Sequence, residues 1–235
     1  MSDLDTFSIT RRWPARHPDR IQLYGLPTPN GAKVSIALEE LGLPYEPHAV
    51  DIMKDENKSA DYLAFNPNAK IPVIIDPDGP GGQPIGIVES NNILLYLAEK
   101  TGKLWPADAA ERIEARGWLF FQAAHIGPMF GQVGFFHKFA GKDYEDKRPR
   151  DRYVAESKRL LAILEDRLAT RRWMMGDDYT MVDISMLGWV RNLITFYEAA
   201  ELVDFASLVH VPRWLDEGLA RPAVQAGLKT PARRA

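Results

Sequence analysis

The stretch LYGLPTPNGAKVSIALEELG, residues 23–42, predicts a short apolar strand, a sharp turn and an amphipathic helix. Two polar residues, Thr28 and Asn30, stand in the turn where the helix begins, and Gly42 follows the helix as a stop signal. The free N–H groups at a helix N-terminus stabilise anions, including thiolates. A hydroxyl and a carboxamide at this joint therefore indicate an anion site, although a proline-fixed turn also explains the segment from Thr28 to Gly31.

The chain of 235 residues contains no cysteine. This excludes disulfide bonds, zinc–thiolate sites and a cysteine nucleophile within the chain. A thiolate bound at the turn must then arrive with a ligand. The histidines and acids show no metal-ligand spacing, so we predict no metal site.

The composition is that of an ordinary globular protein, with 46% hydrophobic and 26% charged residues. The net charge of -3 argues against a general nucleic-acid binder, because such proteins are usually strongly basic. No run approaches the roughly 18 apolar residues of a membrane span, and residues 1–20 lack the apolar core of a secretory signal. We expect a cytoplasmic protein with no nucleic-acid or membrane partner.

Residues 1–20 form either an ordered arm or a frayed leader, and a first domain follows at 21–103. Its predicted elements are strands at 21–25 and 45–52, helices at 31–42, 56–67 and 90–102, and two hairpin strands within 71–90. A parallel βαβ unit followed by an antiparallel hairpin implies a mixed four-stranded sheet, as in thioredoxin-like domains.

Beyond residue 103 the strand signals disappear and helical periodicity takes over. The predicted helical segments are 109–139, 150–170 and 180–197, with shorter ones beyond 205. We place the domain boundary near Pro106 and an all-helical C-terminal domain at 109–230, so the fold class is α/β followed by all-α. Thr180 and Asp183 have the spacing of a helix-capping box, which is a structural feature.

The segment Lys70-Ile71-Pro72-Val73 opens the third strand with a proline, which a strand tolerates at its first residue. We predict a cis Ile71–Pro72 bond, which would turn the N–H and C=O groups of Ile71 outward to pair with a bound peptide. Lys70 would neutralise a carboxylate of that ligand.

Glu89 and Ser90 stand at the start of the third predicted helix. Ser90 and the first-turn N–H groups can hold a carboxylate, and Glu89 can hold an ammonium. The pair suits an amino-acid zwitterion such as the γ-glutamyl end of glutathione, although simple helix capping also explains Ser90 alone.

The segments TPNGAK, PNAKIPVI, ESNNILLYLAEKTG and GPMFGQVGFF resemble glutathione transferases, and more narrowly the bacterial nu-class, whose members resemble disulfide-bond reductases. The resemblance covers about residues 21–228. It implies a homodimer with glutathione as cofactor, as two reduced molecules or one glutathione disulfide per site. It places Thr28 and Asn30 at the glutathione sulfur as catalytic groups. It assigns glutathione binding to Lys70, Ile71, Pro72, Glu89 and Ser90, and from farther away to Asn57 and Arg152.

The run from residue 147 to 172 carries nine Lys or Arg against four Asp or Glu. A solvated helix face explains such a run. Alternatively, one or two cations near Arg152 point into a cleft and neutralise an anionic ligand.

An aromatic and Met-containing run at 118–139 predicts a largely buried helix that is interrupted at Gly127-Pro128. We hypothesise that Gln132, Phe136 and His137 line the second-substrate side. His48 and His125 are interpreted as structural residues.

The resulting hypothesis is reduction of small disulfides by thiol–disulfide exchange, with glutathione supplying both thiols. Two features depart from the family pattern. Most glutathione transferases use a Tyr, Ser or Cys near the first strand, whereas here Tyr24 lies inside the strand and Thr28 occupies the turn. Asn57 stands where the nu-class tends to have Gln. The first alternative is conjugation of glutathione to electrophiles or reduction of organic hydroperoxides. The second is a non-catalytic glutathione-binding or regulatory protein.

Overall fold

The computed structural model describes residues 3–232, which form two compact units. The first unit contains the described residues up to Lys103 together with those from Pro222 onward, and the second unit is Leu104–Arg221. The sequence pattern set residues 1–20 apart and assigned 222–230 to the helical domain, whereas the described parts of both segments belong to the first unit. No helix within the described chain has the length and apolar content of a membrane-spanning segment.

The first unit is built on a four-stranded sheet in the order β2-β1-β3-β4. The strands are β1 (Ile21–Gly25), β2 (Tyr45–Ala49), β3 (Val73–Asp76) and β4 (Ile85–Ile87). β2 runs parallel to β1, whereas β3 is antiparallel to β1 and β4 is antiparallel to β3. The predicted mixed sheet is therefore confirmed. Every residue of the central strands β1 and β3 is buried, which explains their nearly continuous apolar sequences.

The helices follow the predicted order but differ from it in length. They are α1 (Pro29–Leu41), α2 (Ala60–Phe65), α3 (Ser90–Thr101), α4 (Ala109–Phe121), α5 (Gly127–His137), α6 (Arg148–Leu168), α7 (Met181–Ile194), α8 (His210–Leu219) and α9 (Pro222–Gly227). A 3-10 turn at Glu56–Lys58 precedes α2, so the helix predicted at 56–67 is shorter than expected. A π-helical turn at Gln122–Ile126 separates α4 from α5, just before Pro128, which has no backbone N–H to donate.

Helix α9 packs against α1 within the first unit. The Ser35 hydroxyl donates to the Gly227 carbonyl at 2.7 Å, and a Cβ on Gly227 would lie 2.6 Å from the Ile36 backbone. Helical periodicity indicates that a segment has an apolar face, but it does not indicate which neighbour covers that face. The sequence pattern alone therefore placed this helix with the other helices.

The described part of the N-terminal arm supplies core residues to the first unit. Leu4, Ile9 and Trp13 are buried in one cluster with residues of the sheet and of α2. The Trp13 ring meets Tyr24 and Tyr62 edge-on, with centroid distances of 6.3 and 6.1 Å. Such aromatic pairs contribute about 0.5–1.5 kcal/mol beyond their area burial. Of the two interpretations of this segment, the structure supports the ordered arm.

The predicted capping box opens α7 in the second unit. The Asp183 carboxylate is fully buried and accepts hydrogen bonds from the N–H groups of Met174, Thr180 and the Trp214 indole, each at 2.9 Å. The Thr180 hydroxyl adds a fourth hydrogen bond at 3.1 Å. Since Trp214 lies on α8, this single carboxylate joins the start of α7 to a neighbouring helix.

Asp183→Ala should lower the free energy of unfolding by about 3–5 kcal/mol, because it leaves buried N–H donors unsatisfied at about 1–3 kcal/mol each. Urea unfolding followed by circular dichroism measures the change. Asp178→Ala removes an exposed acid from the same loop and should alter stability by no more than about 0.5 kcal/mol. Equal unfolding midpoints for the two variants would contradict the role assigned to Asp183.

Candidate functional site

The turn between β1 and α1 brings backbone N–H groups and two half-buried polar side chains, Thr28 and Asn30, to one place. Thr28 is the N-cap of α1, and its hydroxyl oxygen accepts from the Gly31 N–H at 3.2 Å. The hydroxyl hydrogen therefore points elsewhere and can be donated. Pro29 occupies the first helical position, where no intrahelical hydrogen bond is lost. An anion placed at this turn meets hydrogen-bond donors and the positive end of the helix dipole.

The close approach of α1 to the end of β1 requires glycine at position 31. A Cβ at Gly31 would lie 1.8 Å from the carbonyl oxygen of Leu26 and 3.0 Å from its carbonyl carbon. Leu26 is buried, and its carbonyl also accepts from the Thr28 N–H at 2.7 Å. The first turn of α1 is therefore packed directly on the chain that leaves β1.

The peptide bond between Ile71 and Pro72 is cis, as predicted from the sequence. Pro72 lies beside the end of β1, since a Cβ on Gly25 would be 3.4 Å from the Pro72 Cβ. No hydrogen bond joins the Ile71 backbone to another residue between 3 and 232, so its N–H and C=O groups are open to a ligand. Lys70, one residue earlier, is exposed.

The loop before β3 is held by side chains from the preceding helical segment. The Lys70 carbonyl accepts from the Tyr62 hydroxyl and the Asn66 amide, each at 2.8 Å. The Asn57 amide donates to the Ala69 carbonyl at 2.7 Å, and Ala69 has a φ of 55°, a value uncommon outside glycine. Asn57 therefore supports this loop, and its own buried carbonyl oxygen has no hydrogen-bond partner in the described chain.

The start of α3 also contains a residue with positive φ. Glu89 has a φ of 67° and an exposed side chain, whereas Ser90 is buried. The Nζ atom of Lys33 lies 3.2 Å from the Ser90 hydroxyl oxygen and 3.0 Å from the Asn91 side-chain oxygen. Sparsely populated backbone conformations cost about 1–3 kcal/mol each and occur often at binding sites. The strain at Glu89 thus supports the prediction of a ligand site here.

Three predicted segments are therefore brought together within the first unit. Pro72 lies next to Gly25, which leads into the turn before α1. Lys33, on the second turn of α1, reaches Ser90 at the start of α3. The arrangement offers donors for an anion at Thr28, backbone groups for a peptide at Ile71, and groups of both charges at α3.

Tyr24 lies inside β1 and not at the turn, as the sequence indicated. It is fully buried, its ring stacks on His48 with centroids 4.6 Å apart, and its hydroxyl has no hydrogen-bond partner among the described residues. Burial raises the pKa of this hydroxyl well above its usual value. His48 contacts the Gln22 side chain at 2.8 Å, as expected for a structural histidine. Tyr24 therefore cannot present its hydroxyl to a ligand at the turn.

The remaining predicted site residues lie in the second unit. Gln132, Phe136 and His137 are half-buried residues of α5, and the Phe136 ring stacks on Tyr153 of α6 with centroids 5.7 Å apart. Arg152 is exposed on α6.

Most of the cationic run at 147–172 is explained by ion pairs. The cations of this run that pair with acids are Arg148, Arg150, Arg159, Arg167 and Arg172. Arg152 is not among them, but it is exposed and interacts electrostatically with Glu156, so a solvated helix face accounts for it as well. Within the described chain, no three His, Asp or Glu side chains gather closely enough to hold a metal ion.

Two family models match the chain: the glutathione S-transferase N-terminal domain at residues 28–100 and the glutathione S-transferase C-terminal domain at residues 149–222. The chain belongs to the glutathione S-transferase family. The resemblance read from TPNGAK, PNAKIPVI and ESNNILLYLAEKTG is thereby confirmed at the level of the family.

Relatives of this glutathione S-transferase include two Escherichia coli K12 proteins. Disulfide-bond oxidoreductase YghU is 39% identical over 220 residues, which cover 90% of this chain and 74% of YghU. Disulfide-bond oxidoreductase YfcG is 38% identical over 211 residues, which cover 89% of this chain and 95% of YfcG.

Two crystal structures are more similar still. A Burkholderia graminis glutathione transferase with two glutathione molecules bound per subunit is 60% identical to this chain, with a TM-score of 0.98. The match covers 100% of this chain and 98% of the Burkholderia graminis chain. A Pseudomonas putida glutathione transferase with one glutathione disulfide bound per subunit is 57% identical to this chain, with a TM-score of 0.95. The match covers 97% of this chain and 99% of the Pseudomonas putida chain.

The sequence analysis did not single out Lys33, which contacts Ser90 in the structure of this glutathione S-transferase. The available signal was a lysine between Ala32 and Val34 in an otherwise apolar part of α1. Lysines are almost never fully buried without polar partners. A lysine on a helix that is buried on several sides therefore indicates a polar group on the neighbouring element.

Gly31→Ala should lower the free energy of unfolding by at least about 2 kcal/mol, because the added Cβ overlaps a backbone carbonyl and forces the start of α1 to move. Urea unfolding measures the effect. Gly117→Ala in α4 is the matched control, since no heavy atom lies within 4 Å of its added Cβ, and it should stabilise by about 0.5–1 kcal/mol. Wild-type stability of Gly31→Ala would show that the joint accommodates a side chain.

Proposed function

We propose that this glutathione S-transferase reduces small disulfides with glutathione as the reductant. Relatives at 39% and 38% identity are named disulfide-bond oxidoreductases. Structures at 60% and 57% identity hold two glutathione molecules or one glutathione disulfide per subunit. The observation that carries the proposal is this pair of ligand sulfurs in relatives of a chain that has no cysteine. Thiol–disulfide exchange needs an attacking and a leaving sulfur, and here both belong to ligands.

The thiolate of one glutathione binds at the start of α1 in this proposal. It accepts hydrogen bonds from the Thr28 hydroxyl and the Asn30 amide, and the helix dipole adds about 0.3–1 kcal/mol. Together these groups lower the pKa of a thiol whose ordinary value is about 8.5. The half-buried position of Thr28 and its hydrogen bond from Gly31 support this role.

The rest of the glutathione backbone binds at the other two segments. The N–H and C=O groups of Ile71, held beside Pro72, pair with the peptide. Lys70 neutralises one carboxylate. Glu89 pairs with the ammonium, and Ser90 donates to the carboxylate of the γ-glutamyl group. The open backbone groups of Ile71 support this arrangement.

The reaction balances with two glutathione molecules. The bound thiolate attacks one sulfur of the substrate disulfide, the substrate S–S bond breaks, and the leaving thiolate takes a proton from solvent. The thiolate of a second glutathione then attacks the glutathione sulfur of the mixed disulfide and releases the second substrate thiol. Two glutathione molecules are oxidised to one glutathione disulfide, and one substrate disulfide is reduced to two thiols.

The predicted site residues of the second unit are assigned to the substrate and to the more distant groups of glutathione. Gln132, Phe136 and His137 contact the substrate disulfide. An aromatic ring between two polar side chains suits a substrate that is mainly apolar and has a polar end. Arg152 neutralises a more distant carboxylate of the two glutathione molecules. Asn57 contributes to glutathione binding from the loop at Ala69 that it supports. The exposed position of Arg152 leaves it accessible to a ligand, which supports its role.

Membership of the bacterial nu-class, a homodimeric assembly and a cytoplasmic location complete the proposal. The nu-class assignment is supported by the motifs TPNGAK and GPMFGQVGFF. The exposed apolar residues Ile113 and Phe120 of α4 support an assembly that covers them.

The decisive assay measures turnover of 2-hydroxyethyl disulfide with glutathione by the full chain, with oxidation of NADPH by glutathione reductase as the readout. We expect turnover above the uncatalysed exchange. Chlorodinitrobenzene and cumene hydroperoxide are assayed in parallel. Activity on either of these alone would favour conjugation or hydroperoxide reduction, and glutathione binding without turnover of any substrate would favour a binding protein.

Thr28→Val should lower disulfide turnover about 10- to 100-fold, because it removes a hydrogen bond to a charged sulfur that is worth about 1.5–3 kcal/mol. Asn30→Ala should act in the same direction. The pKa of the bound glutathione thiol should rise by about 1–2 units, which titration of the thiolate absorbance in the ultraviolet measures.

Thr28→Val also removes a helix cap, so its control is Asp108→Ala. Asp108 caps α4 through the N–H groups of Ala110 and Glu111. That variant should lose about 1 kcal/mol of stability and keep wild-type turnover. Unchanged turnover and thiol pKa in Thr28→Val together with Asn30→Ala would remove the proposed thiolate site.

Tyr24→Phe should keep wild-type turnover, because the Tyr24 hydroxyl is buried in β1 and cannot reach the thiolate. It should also raise the free energy of unfolding by about 1 kcal/mol, since a buried hydroxyl without a partner is removed. Steady-state kinetics and urea unfolding check both results. A loss of turnover comparable to that of Thr28→Val would mean that tyrosine activates the thiol.

A further inference from the structure

Lys33 is a buried cation between α1 and α3. Only 2% of the residue is exposed. Its Nζ atom lies 3.2 Å from the Ser90 hydroxyl oxygen and 3.0 Å from the Asn91 side-chain oxygen. Burying an ammonium is costly even with oxygen acceptors nearby. It lies directly beside Ser90, to which the proposed function assigns carboxylate binding.

The ammonium determines the direction of the Ser90 hydroxyl. A lysine ammonium has three donors and no acceptor, so the Ser90 oxygen must accept from it. The hydroxyl hydrogen then points away from Lys33, and it is donated to no acceptor within the described chain. Ser90 is also the first residue of α3, where backbone N–H groups lack intrahelical partners. All of these groups are donors, which is what a carboxylate requires.

We propose that Lys33 is a positioning residue for the α-carboxylate of the γ-glutamyl group of glutathione. It holds the Ser90 hydroxyl as a donor, and its positive charge attracts the carboxylate from inside the protein. This role rests on the proposed function, because it requires glutathione to bind at α3.

Protonation of Lys33 is then coupled to ligand binding. Burial lowers the pKa of Lys33 to about 7, and the nearby Glu89 opposes this shift. Helix α9, which also packs on α1, contributes no titratable side chain between Pro222 and Gly227. A bound carboxylate stabilises the ammonium and raises its pKa, so binding takes up a proton above pH 7 and almost none well below it.

The test compares two ligands in wild type and Lys33→Met. One ligand is S-methylglutathione, which has no thiol to titrate. The other is its γ-aminobutyryl analogue, which lacks only the α-carboxylate of the γ-glutamyl group. Calorimetry below about pH 6.5, where wild-type Lys33 is charged, should show about tenfold weaker binding of S-methylglutathione to Lys33→Met. Binding of the analogue should change less than about twofold.

Lys103→Met is the matched control, because it makes the same substitution at an exposed position beyond the other end of α3. It should bind both ligands like wild type. Equal weakening of both ligands by Lys33→Met, or weakening of neither, would overturn the role of Lys33. Failure of wild type to bind S-methylglutathione would instead overturn the proposed function itself.

A second measurement needs only the wild-type protein and decides the question even if Lys33→Met does not fold. Calorimetry in two buffers of different ionisation enthalpy counts the protons taken up when S-methylglutathione binds. We expect about 0.5–0.8 proton at about pH 7.5 and less than about 0.2 at about pH 6. Binding without proton uptake at the higher pH would overturn the coupling between Lys33 and the carboxylate.

Discussion

The first turn of α1 lies directly against the chain that leaves β1, and the other features of the site depend on this contact. There is no space for a side chain at Gly31, because a Cβ would lie 1.8 Å from the Leu26 carbonyl oxygen. The contact fixes Thr28 as the N-cap and directs the positive end of the helix dipole toward the turn. The proposed anion site is therefore first a result of backbone packing, to which polar side chains would add hydrogen bonds.

Hydrogen bonds from neighbouring side chains hold the rest of the site in place. Asn57 binds the Ala69 carbonyl, Tyr62 binds the Lys70 carbonyl, and Lys33 binds Ser90. Each of these bonds orders part of a proposed ligand-binding segment before a ligand arrives, which would lower the entropic cost of binding. The positive φ values near these contacts are tolerated because the surrounding bonds stabilise them. The same interactions that stabilise the fold thus prepare the site.

The chain contributes electrostatics and positioning, and it has no thiol of its own. A hydroxyl, an amide, a helix N-terminus and a buried ammonium are the groups available to stabilise negative charge. None of these groups changes oxidation state when a disulfide is reduced. The proposed chemistry therefore leaves the protein unchanged while the ligands carry the electrons, and it leaves no protein thiol to be oxidised irreversibly.

The sequence by itself determined the order of strands and helices, the Thr28 turn and the Asp183 capping box. Each of these depends on residues only a few positions apart, where periodicity, proline, glycine and capping preferences act. Only the tertiary structure decided that α9 covers α1 and that Lys33 meets Ser90. Those contacts join residues 192 and 57 positions apart. A local pattern shows that a face is apolar or that a charge needs a partner, but the partner is selected by how distant elements pack.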